Sequence, residues 1–224
     1  MMKCYVLTEQ NMRGCGAADR HFMLGNWMAR DIGTEGESED FLVYDHPLLA
    51  ALFSRHDKLV YQPARLFESL FDGRAGHRDD CGMTRLVHRL KLVKEIPLPA
   101  LTDNHRRRFA IYCAREALAS CDDQPWFKWA DGWTSGVGRG PYADTFGCTA
   151  AETLHRAAQA ADDAASAVYC LNGEHPPRVI DYTFRAATSA IRALCAIRPQ
   201  TSEKWVSLAK HAIADENKLQ EEQE

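Results

Sequence analysis

The segment Ile96-Pro97-Leu98-Pro99 constrains this chain more than any other stretch. Neither proline can donate to a strand ladder, and each biases the residue before it away from helical dihedrals, so no regular element runs through. The hydrophobic period also changes there. Before it, apolar residues alternate as in half-buried strands; after it, they recur at helical spacing. The sequence therefore predicts two modules, residues 1–100 and 101–224.

In the first module, Lys3 to Thr8 reads as an opening strand and Leu24-Gly25-Asn26-Trp27 as a turn. Glu35 to Asp40 is an acidic loop, and Phe41 to Tyr44 is a short strand. Pro47 then stands at the first helical position of the apolar run Leu48 to Phe53, where its missing N–H costs nothing. Arg65 to Phe71 reads as a strand ending at Asp72-Gly73. From Thr84 to Ile96 the pattern puts Leu86, His88, Leu90, Leu92 and Ile96 on one face and Arg89, Lys91 and Glu95 on the other. In the second module Thr102 caps a helix to about Ser120, and Pro125 opens another that Gly136 breaks. Thr149 and Glu152 open an alanine-rich helix to about Cys170, with nine alanines among 21 residues. Pro176 and Pro177 precede a fourth helix, and Thr201 or Ser202 caps a fifth whose acidic end, Asp215 to Glu224, is expected to fray. The expected fold is α+β: a small, mostly antiparallel sheet with short helices, followed by an alanine-rich helical bundle packed on it.

Charge narrows the function classes. Lys+Arg 27 against Asp+Glu 31 gives −4 overall. Thirteen basic against fourteen acidic residues precede Leu101, so no half is a basic arm, and a nucleic-acid partner is not expected. Arg106-Arg107-Arg108 fans around a helix rather than forming one face, and reads as helix-flank charge that pairs with the acidic loops. Eight cysteines without a C-x-x-C pair or an apolar leader are expected to be reduced thiols in a cytoplasmic chain, with no membrane span.

Two constellations carry chemistry. Tyr44, His46 and Glu95 supply the aromatic, imidazole and carboxylate with which ADP-ribosyl-transferring folds hold a nicotinamide; this enzyme reading needs all three in one pocket. Against it, His46-Pro47 is also the pattern of a strand end that starts a helix, with the ring serving local backbone groups. Trp126, Trp129 and Trp133 form one helical stripe, read either as packing that docks the helical half onto the sheet or as an exposed anchor for a partner. His77 and Cys81 lack the second ligand pair that structural zinc requires, so neither metal nor cofactor is expected.

The run Gly25, Trp27, then Tyr44-Asp45-His46-Pro47-Leu48-Leu49, Arg65-Leu66-Phe67-Glu68, Asp72-Gly73, Asp79-Asp80 and Val93-Lys94-Glu95-Ile96-Pro97 resembles a module of uncharacterised phage and prophage proteins. The second half, beginning Arg108-Phe109-Ala110-Ile111-Tyr112-Cys113-Ala114, resembles helical regions of bacterial immunity proteins. These resemblances imply a phage-type accessory protein that works by binding another protein, as an inhibitor of a host defence component or a toxin. The alternative is a nucleotide- or NAD-handling enzyme on the first module. Close-packing alanine helices add an expected homodimer.

Overall fold

A computed structural model describes residues 1–8, 10, 12, 21–29, 41–53, 64–72, 75–78, 84–118, 124–138 and 202–222, with 160, 163, 164, 182, 185, 186, 189 and 190 between them. The chain divides into two compact units, Met1–Ala100 and Leu101–Glu224, and the architecture is α+β.

Among its described residues, the first unit is a seven-stranded antiparallel sheet with one short helix. Its strands are β1 Met2–Thr8, β2 Trp27–Ala29, β3 Phe41–Tyr44, β4 Arg65–Phe71, β5 Ala75–Arg78, β6 Thr84–Val87 and β7 Arg89–Ile96, in the order β2-β7-β4-β1-β3-β6-β5. That order forces the sheet to curl. Only His88 separates β6 from β7, so Val87 and Arg89 lie at most about 7 Å apart. In a flat sheet the four intervening spacings would place those strands roughly 19 Å apart. The strands β4–β5 and β6–β7 therefore form one long bent hairpin, joined at its bend by the Asp72 N–H donating to the Arg89 carbonyl at 3.4 Å.

Register decides which residues enter the concave side. Val6 faces Phe67, Cys4 faces Ser69, Phe41 faces Val87, and Phe71 faces Leu90. Cys4, Val6, Phe22, Phe41, Val43, Phe67, Phe71, Val87, Leu90 and Leu92 make one buried cluster, with Met12 and Met28 packed against it. An arginine–carboxylate pair stands over a ring at each end. Arg85 lies 6.0 Å from the Phe71 centroid and 2.8 Å from Asp45; Arg65 lies 5.1 Å from the Phe67 centroid and pairs with Glu95. On the other face, Leu7, Tyr44 and Leu66 are buried, and α1 (Pro47–Phe53) packs on β1, β3 and β4 with Leu48, Leu49 and Leu52 buried.

Two features of the predicted Thr84–Ile96 strand change. It breaks at His88, and Val93 is an extra residue: Lys94 faces Glu68 while Leu92 faces Ser69. A bulge moves every later side chain to the opposite face. Ile96 therefore joins Leu66 on the helix-covered face and Glu95 shares a register with Phe67, the reverse of simple alternation. Val87 enters the core, whereas Leu86 is half-buried.

In the second unit, α2 (Asp103–Ala117), α3 (Gln124–Thr134) and α4 (Ser202–Glu221) are the long described helices. Glu116 meets Lys204 and Asn104 meets Glu216, so α2 and α4 run antiparallel. The helix α3 ends in a glycine cap: Gly136 has φ +80°, its N–H donates to the Trp133 carbonyl at 3.2 Å, and Val137 N–H donates to the Gly132 carbonyl at 3.0 Å. The helix α4 keeps its predicted acidic tail helical through Glu221 rather than frayed, because Asp215 and Glu216 are bound by α2. Ala160, Ala164, Ala186 and Ala190 are helical and buried within the single chain; the rest of the alanine-rich segment, with its capping pair, lies outside the described residues. None of the described helices is long and apolar enough to cross a membrane.

Burial gives the first unit a pH dependence. The Cys4 thiol donates to the Ser69 carbonyl at 3.6 Å. Burial first, then the Asp45 carboxylate against the opposing Arg85, raises it from 9.0 to about 12. A raised folded value stabilises below the unfolded one and is lost as pH rises through the folded one. Denaturation of the wild type is therefore expected to become easier between pH 9 and 12, by roughly 1 kcal/mol per pH unit from this thiol. Cys4→Val, lacking the thiol, should show a shallower slope in urea midpoints over that range; equal slopes would refute the assignment.

Candidate functional site

The enzyme constellation is dispersed. His46 caps α1: its Nδ1 accepts the Leu48 N–H at 3.1 Å and its carbonyl accepts the Ala50 N–H at 3.1 Å. Its ring lies 6.5 Å from that of Tyr5. Tyr44 is buried opposite Tyr5, on the face that α1 covers. Glu95 shares the register of Phe67, which belongs to the concave cluster, so Tyr44 and Glu95 lie on opposite faces of the sheet. The Glu95 carboxylate accepts Arg65 Nε at 3.0 Å and Nη2 at 2.6 Å, and this guanidinium lowers its pKa. The structure thus joins Tyr44 and His46 near Tyr5 and separates Glu95 from them.

The tryptophan stripe is mostly interior. Trp126 and Trp133 are fully buried, and Trp129, 5.9 Å from Trp126 between ring centroids, is half-buried. Burial leaves Trp129 as the one ring of the three that reaches solvent. Cys81, Asp79, Asp80 and the acidic run Glu35 to Asp40 lie outside the described residues, as does the side chain of His77. Among the described residues, no group of three metal-ligating side chains converges.

The Arg106–Arg108 run, read as flanking charge for the acidic loops, finds carboxylates on the helices themselves: Asp103 for Arg106 and Glu216 for Arg108. Arg107 and Arg108 are buried, and Arg108 donates to Glu216 Oε2 through Nε at 3.2 Å and Nη2 at 2.9 Å. Its Nη1 donates to the last carbonyl of α3, Thr134, at 2.6 Å, which neutralises that helix's negative end. Beside this pair, Arg108, Tyr112, Asp131, Thr134, Asp215 and Lys218 border an open groove of about 420 Å³. Its carboxylates are engaged: Tyr112 donates to Asp215 at 2.5 Å, and Arg115 donates to Asp131 at 2.6 Å. Burial, then the Asp215 acceptor, raises the Tyr112 pKa, so the phenol stays protonated at neutral pH. The groove is a structural seam between helices.

A different surface carries exposed apolar side chains beside an incompletely paired strand. Met23 to Asn26 is a tight turn: Gly25 has φ +81°, Asn26 N–H donates to the Met23 carbonyl at 3.4 Å, and Gly25 N–H donates to the Leu92 carbonyl at 2.9 Å. Positive φ at the third turn position favours glycine and turns the preceding side chain outward. Met23 and Leu24 are 53% and 54% exposed, and Leu24 bridges Leu92, next to the bulged Val93 at 39%. Beyond that point, among the described residues, β2 covers only Arg89 to Lys91, and no described strand pairs the outer flank of Val93 to Ile96. Lys91 and Lys94 lie along the same stretch. The sequence had marked the turn but not the edge, because a three-residue β2 leaves no periodic signal.

No protein-family model, curated protein or solved structure matches this chain.

Proposed function

We propose that this chain acts by binding another protein, as a phage-type accessory protein that inhibits a host defence component or a toxin. The observation that supports the binding reading is the apolar turn Met23-Leu24 set beside Val93, at a β7 flank whose backbone has no described strand partner. An exposed apolar patch at an unpaired edge is the arrangement to which an extended segment adds as a further strand, with main-chain hydrogen bonds for affinity and side-chain pockets for selectivity. Lys91 and Lys94 on that stretch favour a partner segment with acidic residues among its apolar ones. The phage and inhibitor parts of the proposal rest on the resemblance of the first 100 residues.

The test is capture of partners by the full chain, with Leu24→Asp/Val93→Asp run beside wild type and a Trp129→Ala control, followed by titration of each purified candidate. A partner that binds wild type and Trp129→Ala, and loses at least about tenfold with the double aspartate variant, is expected. A partner bound equally by the edge variant and lost with Trp129→Ala would move the interface to the tryptophan stripe and overturn the edge assignment.

A further inference from the structure

We infer that His105 is an acid-sensitive latch at the first turn of α2. The helix opens with a reciprocal cap: the Thr102 hydroxyl accepts the His105 N–H at 3.2 Å, and His105 Nδ1 accepts the Thr102 N–H at 3.0 Å. A backbone N–H cannot accept, so Nδ1 must be unprotonated and the ring proton sits on Nε2. That nitrogen lies 3.0 Å from Asn217 Oδ1 on α4 and donates to it. One buried, neutral imidazole therefore closes the helix start and ties it to the antiparallel helix at once.

The third helical position of such a box is ordinarily Glu or Gln, whose side-chain oxygen accepts at neutral and mildly acidic pH alike. A histidine there changes from acceptor to donor on protonation. The second proton would arrive at Nδ1, where the Thr102 N–H already points at 3.0 Å, setting donor against donor. The charged groups on the facing stretches of the two helices are Asp103, Arg106, Arg107 and Arg108 on α2, and Asp215, Glu216, Lys218 and Glu221 on α4. Of the carboxylates, Asp103 is engaged by Arg106, Glu216 by Arg108 and Asn104, and Asp215 by Tyr112. The imidazolium must open the cap, while the Arg108–Glu216 pair one turn further on holds the remainder of the helix.

Amide exchange of the full chain at pH 7.5 and pH 5.0, corrected for intrinsic rates, tests this. The Thr102 N–H is expected to lose about tenfold in protection at the lower pH, the equivalent of one hydrogen bond. His105→Gln keeps an acceptor for Thr102 and a donor for Asn217 at both values, and should hold its protection within about twofold. Equal loss in the variant, or no loss in wild type, would overturn the inference. If the variant does not fold, ¹⁵N imidazole shifts of wild type decide: an unprotonated Nδ1 at neutral pH is required, and a proton found there refutes the latch.

Discussion

Arg108→Ala is expected to lower the stability of the second unit by about 3–5 kcal/mol, because it removes the buried cation that neutralises a fully buried carboxylate. Glu216 is 0% exposed and Arg108 1%. Without the guanidinium, Glu216 loses two charge-assisted donors to Oε2 while the Asn104 amide still donates to Oε1 at 3.2 Å, and the Thr134 carbonyl loses its 2.6 Å donor. The guanidinium also stands 5.8 Å from the Trp133 centroid, so packing goes with the charge. Distance alone would rank the pairs otherwise. Arg115 approaches Asp131 at 2.6 Å, closer than the 2.9 Å of Arg108 to Glu216, yet both Arg115 and Asp131 are substantially exposed. Arg115→Ala should therefore cost under about 1 kcal/mol. Replacing both members, as Arg108→Met/Glu216→Leu, removes the two desolvation costs together and should recover most of the single-mutant loss. Urea unfolding read by tryptophan emission is suitable, since Trp126, Trp129, Trp133 and Trp205 all belong to the second unit. A loss under about 1 kcal/mol for Arg108→Ala would show that the pair is hydrated in solution.

The sequence carried the elements whose ends are chemically marked. Pro47 after His46 placed the start of α1, Thr102 the start of α2, and Gly136 the end of α3, since each supplies a group that only a helix terminus needs. Phe41–Tyr44 and Arg65–Phe71 were legible because short runs rich in large apolar residues are bounded by turn formers, Asp45-His46-Pro47 after the first and Asp72-Gly73 after the second. Long-range register was not legible. The bulge at Val93 inverts the faces of Glu95 and Ile96, and no local signal announces it, so Tyr44 and Glu95 read as candidates for one pocket when they lie on opposite faces. The Arg108–Glu216 pair, 108 residues apart, left one trace that alternation and composition overlook. Trp205, Ala209 and Ala212 set an apolar stripe on α4 whose next member is Glu216, and α2 places Arg108 one turn before the buried Ile111. A charge on an apolar stripe in each of two helices, with opposite sign, is a signal for a buried pair. His105 was missed for a related reason: a capping-box reading looks for Glu or Gln three residues after Thr102.

Phe71→Ala should cost the first unit about 3–5 kcal/mol, the range for deleting a fully buried ring whose site cannot collapse. The ring is 1% exposed, lies opposite Leu90 across β4–β7, and carries the Arg85 guanidinium 6.0 Å above it. Truncation opens the concave cluster at the bend of the long hairpin and removes the surface against which the Arg85–Asp45 pair is held. By contrast Leu42→Ala, on an exposed position of β3, should stay within about 0.5 kcal/mol. The sharper experiment pairs Phe71→Ala with Val87→Ala. In a flat sheet β4 and β6 are three spacings apart, roughly 14 Å, and the two losses would add. In the curled sheet Phe71 and Val87 belong to one cluster, so truncating one lets the other relax into the space, and the double variant should fall short of the sum by at least about 0.5 kcal/mol. Strict additivity in denaturant unfolding would mean that β6 does not return over β4. The single residue between Val87 and Arg89 would then have to bridge a distance that it cannot span, so the coupling and the strand order stand or fall together.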